Sequence, residues 1–294
     1  MPTLKAHKAE YLKPSKPKMM LYGKPDTDKS KFACEFPASV YIDTEDGAVE
    51  SEYVKSLNDS KSLYFGKADG SQNLKEVIDQ VKALIVAPGD RQSLVIDSVS
   101  KSLDVSDSEE QERMGDKDDP FSSYKKAGVR QMRRLVSLLG QLDMNVLLVA
   151  HAKDKWEGQG KERKLVGTTF DAWAKLGHEM NLQCESQRVG AVTFMRVFRS
   201  KYACLIRGQE IPMSYEAFAK AYGKDVMERK AEGLVLATKD QVEEILKMTG
   251  ILKTEQDELD SWLNKAGAEE IVDLSKEHAT KLIEFLNKKL KGEK

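Results

Sequence analysis

The residues that could do chemistry begin in the stretch Met19-Met20-Leu21-Tyr22-Gly23-Lys24-Pro25-Asp26-Thr27-Asp28-Lys29-Ser30-Lys31-Phe32-Ala33. A short apolar run gives way to a loop, then Lys-Ser, then a helical pattern. Phosphate-binding P-loops follow G-x-x-x-x-G-K-[ST]. Gly23, Lys29 and Ser30 meet that pattern, but Asp28 stands where the second glycine belongs. Such a loop, here Lys24, Pro25, Asp26, Thr27, Asp28, Lys29 and Ser30, wraps backbone N–H groups around a phosphate, and the next helix aims its N-terminus at the anion. Glycine lets the backbone come close, and Asp tolerates left-handed dihedrals better than most residues. Asp28 and Asp26 also set carboxylates beside a polyphosphate, with a repulsion on the order of 1 to 4 kcal/mol per charge pair, depending on screening. The loop is recognisable but weakened, and Asp28→Gly is expected to tighten anion binding. The alternative is a surface turn rich in Lys, Pro and Asp.

Three further stretches carry side chains that could act on a group held there. Ser39-Val40-Tyr41-Ile42-Asp43 reads as a buried strand running into Thr44-Glu45-Asp46-Gly47. Ligands meet catalytic groups at strand tips of open α/β sheets, so Glu45 is placed to act there; alternatively Glu45 and Asp46 cap the next turn. Ser93 to Asp97 is an apolar strand ending in a carboxylate, the Walker B form that holds Mg²⁺ directly or through water. Asn145 to Ala150 is another buried strand, with His151 at its tip, where a polar side chain can contact a γ-phosphate. Beyond it, Lys153, Lys155, Trp156, Lys161, Arg163 and Lys164 lie in a Gly-rich basic stretch. Cations that meet phosphates and an aromatic that stacks on a base suit a single strand of nucleic acid. The alternative is a flexible hairpin.

These groups need a scaffold. The 294 residues suffice for one large and one small domain. A net charge of -1 points to no partner by bulk charge, and a mean hydropathy of -0.53 predicts a soluble chain. No apolar run reaches the roughly 18 residues that span a membrane, so no membrane partner is expected. No signal-peptide h-region is visible, and the three cysteines lack C-x-x-C spacing; a cytoplasmic setting is expected. Residues 1–18 read as a basic N-terminal arm. The core is expected over 19–215, with a helix from Asn73 to Ile85, a mobile acidic loop from Asp104 to Pro120, a long basic helix from Ser122 to Leu142, and strands near Tyr64, Met180 to Ser186, Ala191 to Phe198 and Arg207 to Met213. A connector follows over 216–236. Short amphipathic helices over 237–294 form a helical module suited to docking a protein or nucleic acid.

Taken in order, Tyr22-Gly23 to Ser30, Phe32-Ala33 with Phe36-Pro37, Tyr41-Ile42-Asp43-Thr44-Glu45, Leu94 to Ser98, Val146 to His151, and Phe198 to Lys201 resemble the RecA-like P-loop ATPases of bacteriophages, the single-strand-annealing or recombination group. The resemblance covers roughly residues 15 to 215. It implies an α/β fold: a RecA-like P-loop NTPase core with a mostly parallel sheet, here followed by the small all-helical module. It implies ATP and Mg²⁺ as cofactors, Lys29 on the β- and γ-phosphates, Ser30 and Asp97 on Mg²⁺, Glu45 activating water, and His151 sensing the γ-phosphate. The Lys153–Gly167 region matches the second DNA-binding loop and the Asp104–Pro120 region the first. Arg199 and Lys201 match residues that reach the nucleotide of an adjacent subunit. The function so implied is ATP-dependent binding of single-stranded DNA by a homo-oligomer, promoting annealing or strand exchange in phage recombination, with a single-strand-binding protein as a candidate partner of the C-terminal module. The alternatives are a replication accessory ATPase of helicase-loader type, or a pseudo-ATPase scaffold that binds DNA.

Overall fold

The computed structural model describes residues 14–115, 124–158 and 162–291. In chain order the elements are β1 (Lys18–Gly23), α1 (Lys29–Cys34), β2 (Ser39–Asp43), α2 (Ser51–Asp59), β3 (Leu63–Phe65), α3 (Leu74–Val86), β4 (Ser93–Asp97), α4 (Val99–Met114), α5 (Lys125–Gln141) and β5 (Asn145–Glu157). Then come β6 (Lys164–Asp171), α6 (Leu176–Glu179), β7 (Leu182–Val189), β8 (Val192–Ser200), β9 (Glu210–Pro212), α7 (Tyr215–Tyr222), α8 (Lys224–Met227), α9 (Lys239–Ile251), α10 (Gln256–Lys265) and α11 (Lys276–Leu290).

One nine-stranded sheet organises the chain, in the order β3-β2-β4-β5-β1-β7-β8-β9, with β6 paired to β5. Strands β3 to β7 along that path are parallel; β6, β8 and β9 join antiparallel. Parallel strands are covered on both faces, which is why β1, β2, β4 and the first half of β5 read as continuous apolar runs. Alternation along β1 sends Met20 and Tyr22 to the face covered by α3 and α5, and Met19 and Leu21 to the face covered by α1 and α7. The fold class is the expected one: an α/β core with a mostly parallel sheet, followed by a helical C-terminal region.

Several local expectations are corrected. The acidic stretch from Asp104 is helical, belonging to α4, as far as Met114; residues 116–120 lie outside the described residues. Its buried face is made of Ser100, Ser102 and Ser106 beside Val99, so no apolar period announced it. It packs closely on α5, where a Cβ on Gly128 would sit 2.7 Å from Asp107 Oδ1 and 3.2 Å from Ser106 Oγ. The basic stretch after His151 is not a loop at its base: β5 continues to Glu157 and turns back as β6. Residues 1–13 of the basic arm lie outside the described residues, but Lys16 is buried and Lys18 opens β1, its ammonium enclosed by the carbonyls of Leu142 and Met144. In the 216–236 stretch, Phe218, Ala219, Tyr222 and Met227 pack into the sheet's α1-side core.

The C-terminal helices α9 to α11 bury their own cluster around Ile245, Leu263, Leu274 and Leu286. Thr238 caps α9 through a reciprocal bond with Gln241. The module docks on α5 and α3: Arg134 of α5 bonds Asp273 at 2.7 and 3.0 Å, Lys82 of α3 adds a contact at 3.0 Å, and Ser137 and Gln141 of α5 donate to the Gly267 carbonyl.

Candidate functional site

The register of the parallel strands brings the distant motifs together. Gly23 lies opposite His151, and Asp43 opposite Asp97, so the carboxyl ends of β1, β4 and β2 line up beside the middle of β5 as one edge. On that edge lies a cavity of about 750 Å³ lined by the loop from Pro25 to Ser30 with Glu45, Asp97, His151, Tyr53 and Arg188. Its size lies within the range of small-molecule and cofactor sites.

The loop is held from both sides. Gly23 is required by the approach of β7, since a Cβ there would sit 1.9 Å from Ser186 Oγ. Thr27 Oγ1 and Ser186 Oγ share a hydrogen bond of 2.6 Å, and Thr27 Oγ1 also donates to the Lys24 carbonyl at 2.8 Å. Lys29 Nζ donates to that same carbonyl at 2.6 Å. Burial lowers the Lys29 pKa, an effect opposed by Asp97, Glu45 and Asp26. Asp28 occupies the left-handed region, φ 57°, which glycine would take without strain.

Asp97 faces Ser30 and accepts a 2.8 Å bond from Tyr41 Oη. Its pKa is raised by burial, with the Ser30 and Tyr41 bonds acting in the opposite direction. A hard divalent cation takes oxygen ligands and keeps waters, and Mg²⁺ sites commonly use one or two protein oxygens plus phosphates. Ser30 and Asp97 fit that role; among the described residues no cluster of three or more His, Cys, Asp or Glu side chains could hold a metal by itself.

Glu45 is positioned by a network the sequence did not disclose. Asp43 accepts from the N–H groups of Glu45, Gly47 and Ala48 at 3.0, 3.2 and 2.8 Å, so Asp43, not Glu45, caps the turn. Thr44 Oγ1 donates to the Ser98 carbonyl at 2.9 Å and accepts from Ser98 N–H at 2.8 Å. Ser98 Oγ donates to Glu45 Oε1, and His151 Nε2 lies 2.9 Å from the same oxygen. The His151 bond, then the Ser98 bond, lower the Glu45 pKa against its desolvation; the Glu45 bond raises that of His151. Ser100 fixes the histidine's strand by accepting from His151 N–H at 3.0 Å.

A profile of the AAA domain matches residues 15–189, more than half of the chain. The chain belongs to the AAA domain family. The match begins before the P-loop and ends on β7, so this AAA domain contains the loop, both acidic strands and His151. Among solved structures, the crystal structure of the RadB recombinase is similar at 12% identity, covering 69% of this chain and 90% of that one, with a TM-score of 0.43. No curated protein matches the chain.

The remaining expected residues lie outside the cavity of this AAA domain. Arg199 pairs in register with Gln183, at the end of β7 away from the P-loop, and donates to the Gly177 carbonyl at 2.6 Å. Lys201, two residues on, is exposed. On the β5–β6 hairpin Trp156 is 46% exposed with the Arg163 guanidinium 5.0 Å from its ring centroid. Lys153 pairs with Asp171 at 2.8 Å and Lys155 with Glu157 at 2.9 Å; Lys164 is exposed, and Lys161 lies outside the described residues. The sequence reading missed Arg188, Tyr53 and Asp43. Asp43 had a signal, a second acid at a strand end, while Arg188 and Tyr53 come from elements with no motif.

Proposed function

We propose that the cavity binds ATP with Mg²⁺ and that the protein is a RecA-like ATPase that binds single-stranded DNA in an oligomer, serving annealing or strand exchange in phage recombination. The observation that supports this most is the convergence of Lys29, Ser30, Asp97, Glu45 and His151 on one cavity from four neighbouring strands and the turns that follow them. Lys29 neutralises phosphate charge once its ammonium leaves the Lys24 carbonyl. Ser30 and Asp97 would hold the cation, which when bound would supply charge neutralisation to the phosphates. Glu45 orients water and takes its proton; the His151 and Ser98 bonds keep it ionised for that task. His151, donating to Glu45, links that carboxylate to the phosphate side of the cavity.

The DNA reading rests on the β5–β6 hairpin, where Trp156, Arg163 and Lys164 are exposed. Arg199 and Lys201, away from this chain's own cavity, are assigned to the nucleotide of a neighbouring protomer. Titration with a fluorescent ATP analogue, with and without single-stranded DNA, tests the reading. Saturable binding that Lys29→Ala abolishes supports it. A wild-type protein with no nucleotide affinity under either condition overturns it.

A further inference from the structure

Asp28, the residue that breaks the P-loop pattern, does not point its charge into an empty loop. Thr193 Oγ1, on β8, donates to Asp28 Oδ2 at 2.6 Å. The guanidinium of Arg188, on β7, lies 3.3 Å from both Asp28 carboxylate oxygens. Arg188 also lines the cavity that holds Lys29, Glu45 and Asp97. The geometry thus seats a second cation beside the P-loop, on the side opposite the acidic strand ends. Register fixes it there: Gly23 pairs with Ser186, two residues before Arg188, while Arg188 itself lies opposite Thr193 on the β7–β8 ribbon.

We propose that Arg188 is a phosphate-binding residue of this site and that Asp28 is its positioning residue. The proposal rests on the nucleotide reading above and deepens it. A glycine at 28 would let the loop wrap a phosphate by backbone alone. Aspartate reaches the same left-handed conformation and adds a side chain that Thr193 orients and Arg188 recognises. A guanidinium presents several N–H donors, so it can keep one carboxylate contact while donating to a phosphate oxygen. The negative charge that Asp28 brings is thereby neutralised within the loop, and the Arg188 charge becomes available to a nucleoside polyphosphate. The half-exposed state of Arg188 leaves it free to turn. Lys29, by contrast, donates to the loop's own Lys24 carbonyl.

The test is a double-mutant cycle read by titration with a fluorescent ATP analogue and by its displacement with inorganic tripolyphosphate. Arg188→Gln is expected to weaken both by about tenfold to a hundredfold, the range for a charge-assisted contact, while Arg188→Lys recovers part of the loss. Asp28→Asn keeps the left-handed backbone and the Thr193 bond but removes the ion pair; it is expected to weaken tripolyphosphate displacement several-fold. The deciding variant is Arg188→Gln with Asp28→Asn. If Arg188 binds phosphate, the pair recovers only part of the loss, because removing the Asp28 carboxylate relieves repulsion but restores no donor to the phosphate. If Arg188 only screens Asp28, the pair returns to wild-type affinity, and the proposal is overturned. It is overturned equally if Arg188→Gln weakens the ATP analogue but not tripolyphosphate. Thermal unfolding of each variant checks that the fold survives. Lys29→Ala separates the two levels: loss of binding there with no effect at Arg188 removes this assignment alone, whereas no effect at Lys29 removes the nucleotide reading itself.

Discussion

His151 Nε2, midway along β5, lies 2.9 Å from Glu45 Oε1, just past the end of β2, across the intervening β4. The pair ties the side chain proposed to activate water to the one proposed to contact the γ-phosphate. Glu45→Gln keeps the shape and the Ser98 bond but removes the base. Turnover is expected to fall by about 10² to 10⁴, with nucleotide affinity within about twofold of wild type. Steady-state ATPase rates beside a nucleotide titration measure the two separately; unchanged turnover would take Glu45 out of the mechanism.

The hairpin predicts a division of labour in DNA binding. One face of Trp156 is covered by Arg163, leaving the other for a base. Trp156→Ala is expected to cost about 1 to 3 kcal/mol of single-strand affinity with little change in salt dependence. Neutralising Lys161, Arg163 and Lys164 together should flatten the plot of log K against log salt by about 2, given roughly 0.7 per single-strand phosphate contact. Neutralising Lys153 and Lys155 should do less, because each already pairs with a carboxylate. Salt titrations by fluorescence anisotropy decide; equal slopes in every variant would move the DNA site off the hairpin.

Asp273 is 1% exposed and accepts from Arg134 while contacting Lys82. Removing one partner of a buried ion pair leaves the others uncompensated, a loss of about 3 to 5 kcal/mol. Asp273→Ala should therefore release the C-terminal helices from α5, shown by a lower urea midpoint and by faster proteolysis near Ala237. An unchanged cleavage pattern would assign the docking to the apolar and Gly267 contacts.

Lys18 gives a pH dependence of stability. Burial lowers its pKa from 10.5 to about 7, against an opposing pull from Asp143. Between pH 7 and 9 the unfolded chain therefore holds more protons than the native one, and stability rises with pH. The Lys18 share over that window is on the order of 2 kcal/mol. Lys16 and Lys29 shift in the same direction, so Lys18→Met should reduce the slope without abolishing it. Above pH 9 the buried thiols of Cys34 and Cys184, pushed up to about 12, act oppositely: the unfolded chain ionises first and stability falls. Urea denaturation at several pH values measures both limbs.

By itself the sequence determined the parallel core. Strands buried on both faces must be apolar throughout, so Leu21, Ile42, Ile96 and Leu148 announced their strands, and the polar residues ending those runs announced the sheet's edge. The C-terminal helices were legible for a similar reason: their buried residues recur with the helical period. Helix α4 was not, because its buried face is serine against Gly128 and carries no hydrophobic period. The tertiary structure alone decided what Asp28 does. Sequence spacing places a carboxylate in a phosphate loop; only the pairing of β1 with β7, and of β7 with β8, brings Arg188 and Thr193 to it across more than 150 residues. The same holds for Ser98, whose hydroxyl reaches Glu45 from the end of β4, whereas Asp43 acts locally on the N–H groups that follow it. Local patterns record how each segment is buried, whereas contacts between segments depend on register and crossover, and no short stretch of sequence encodes those.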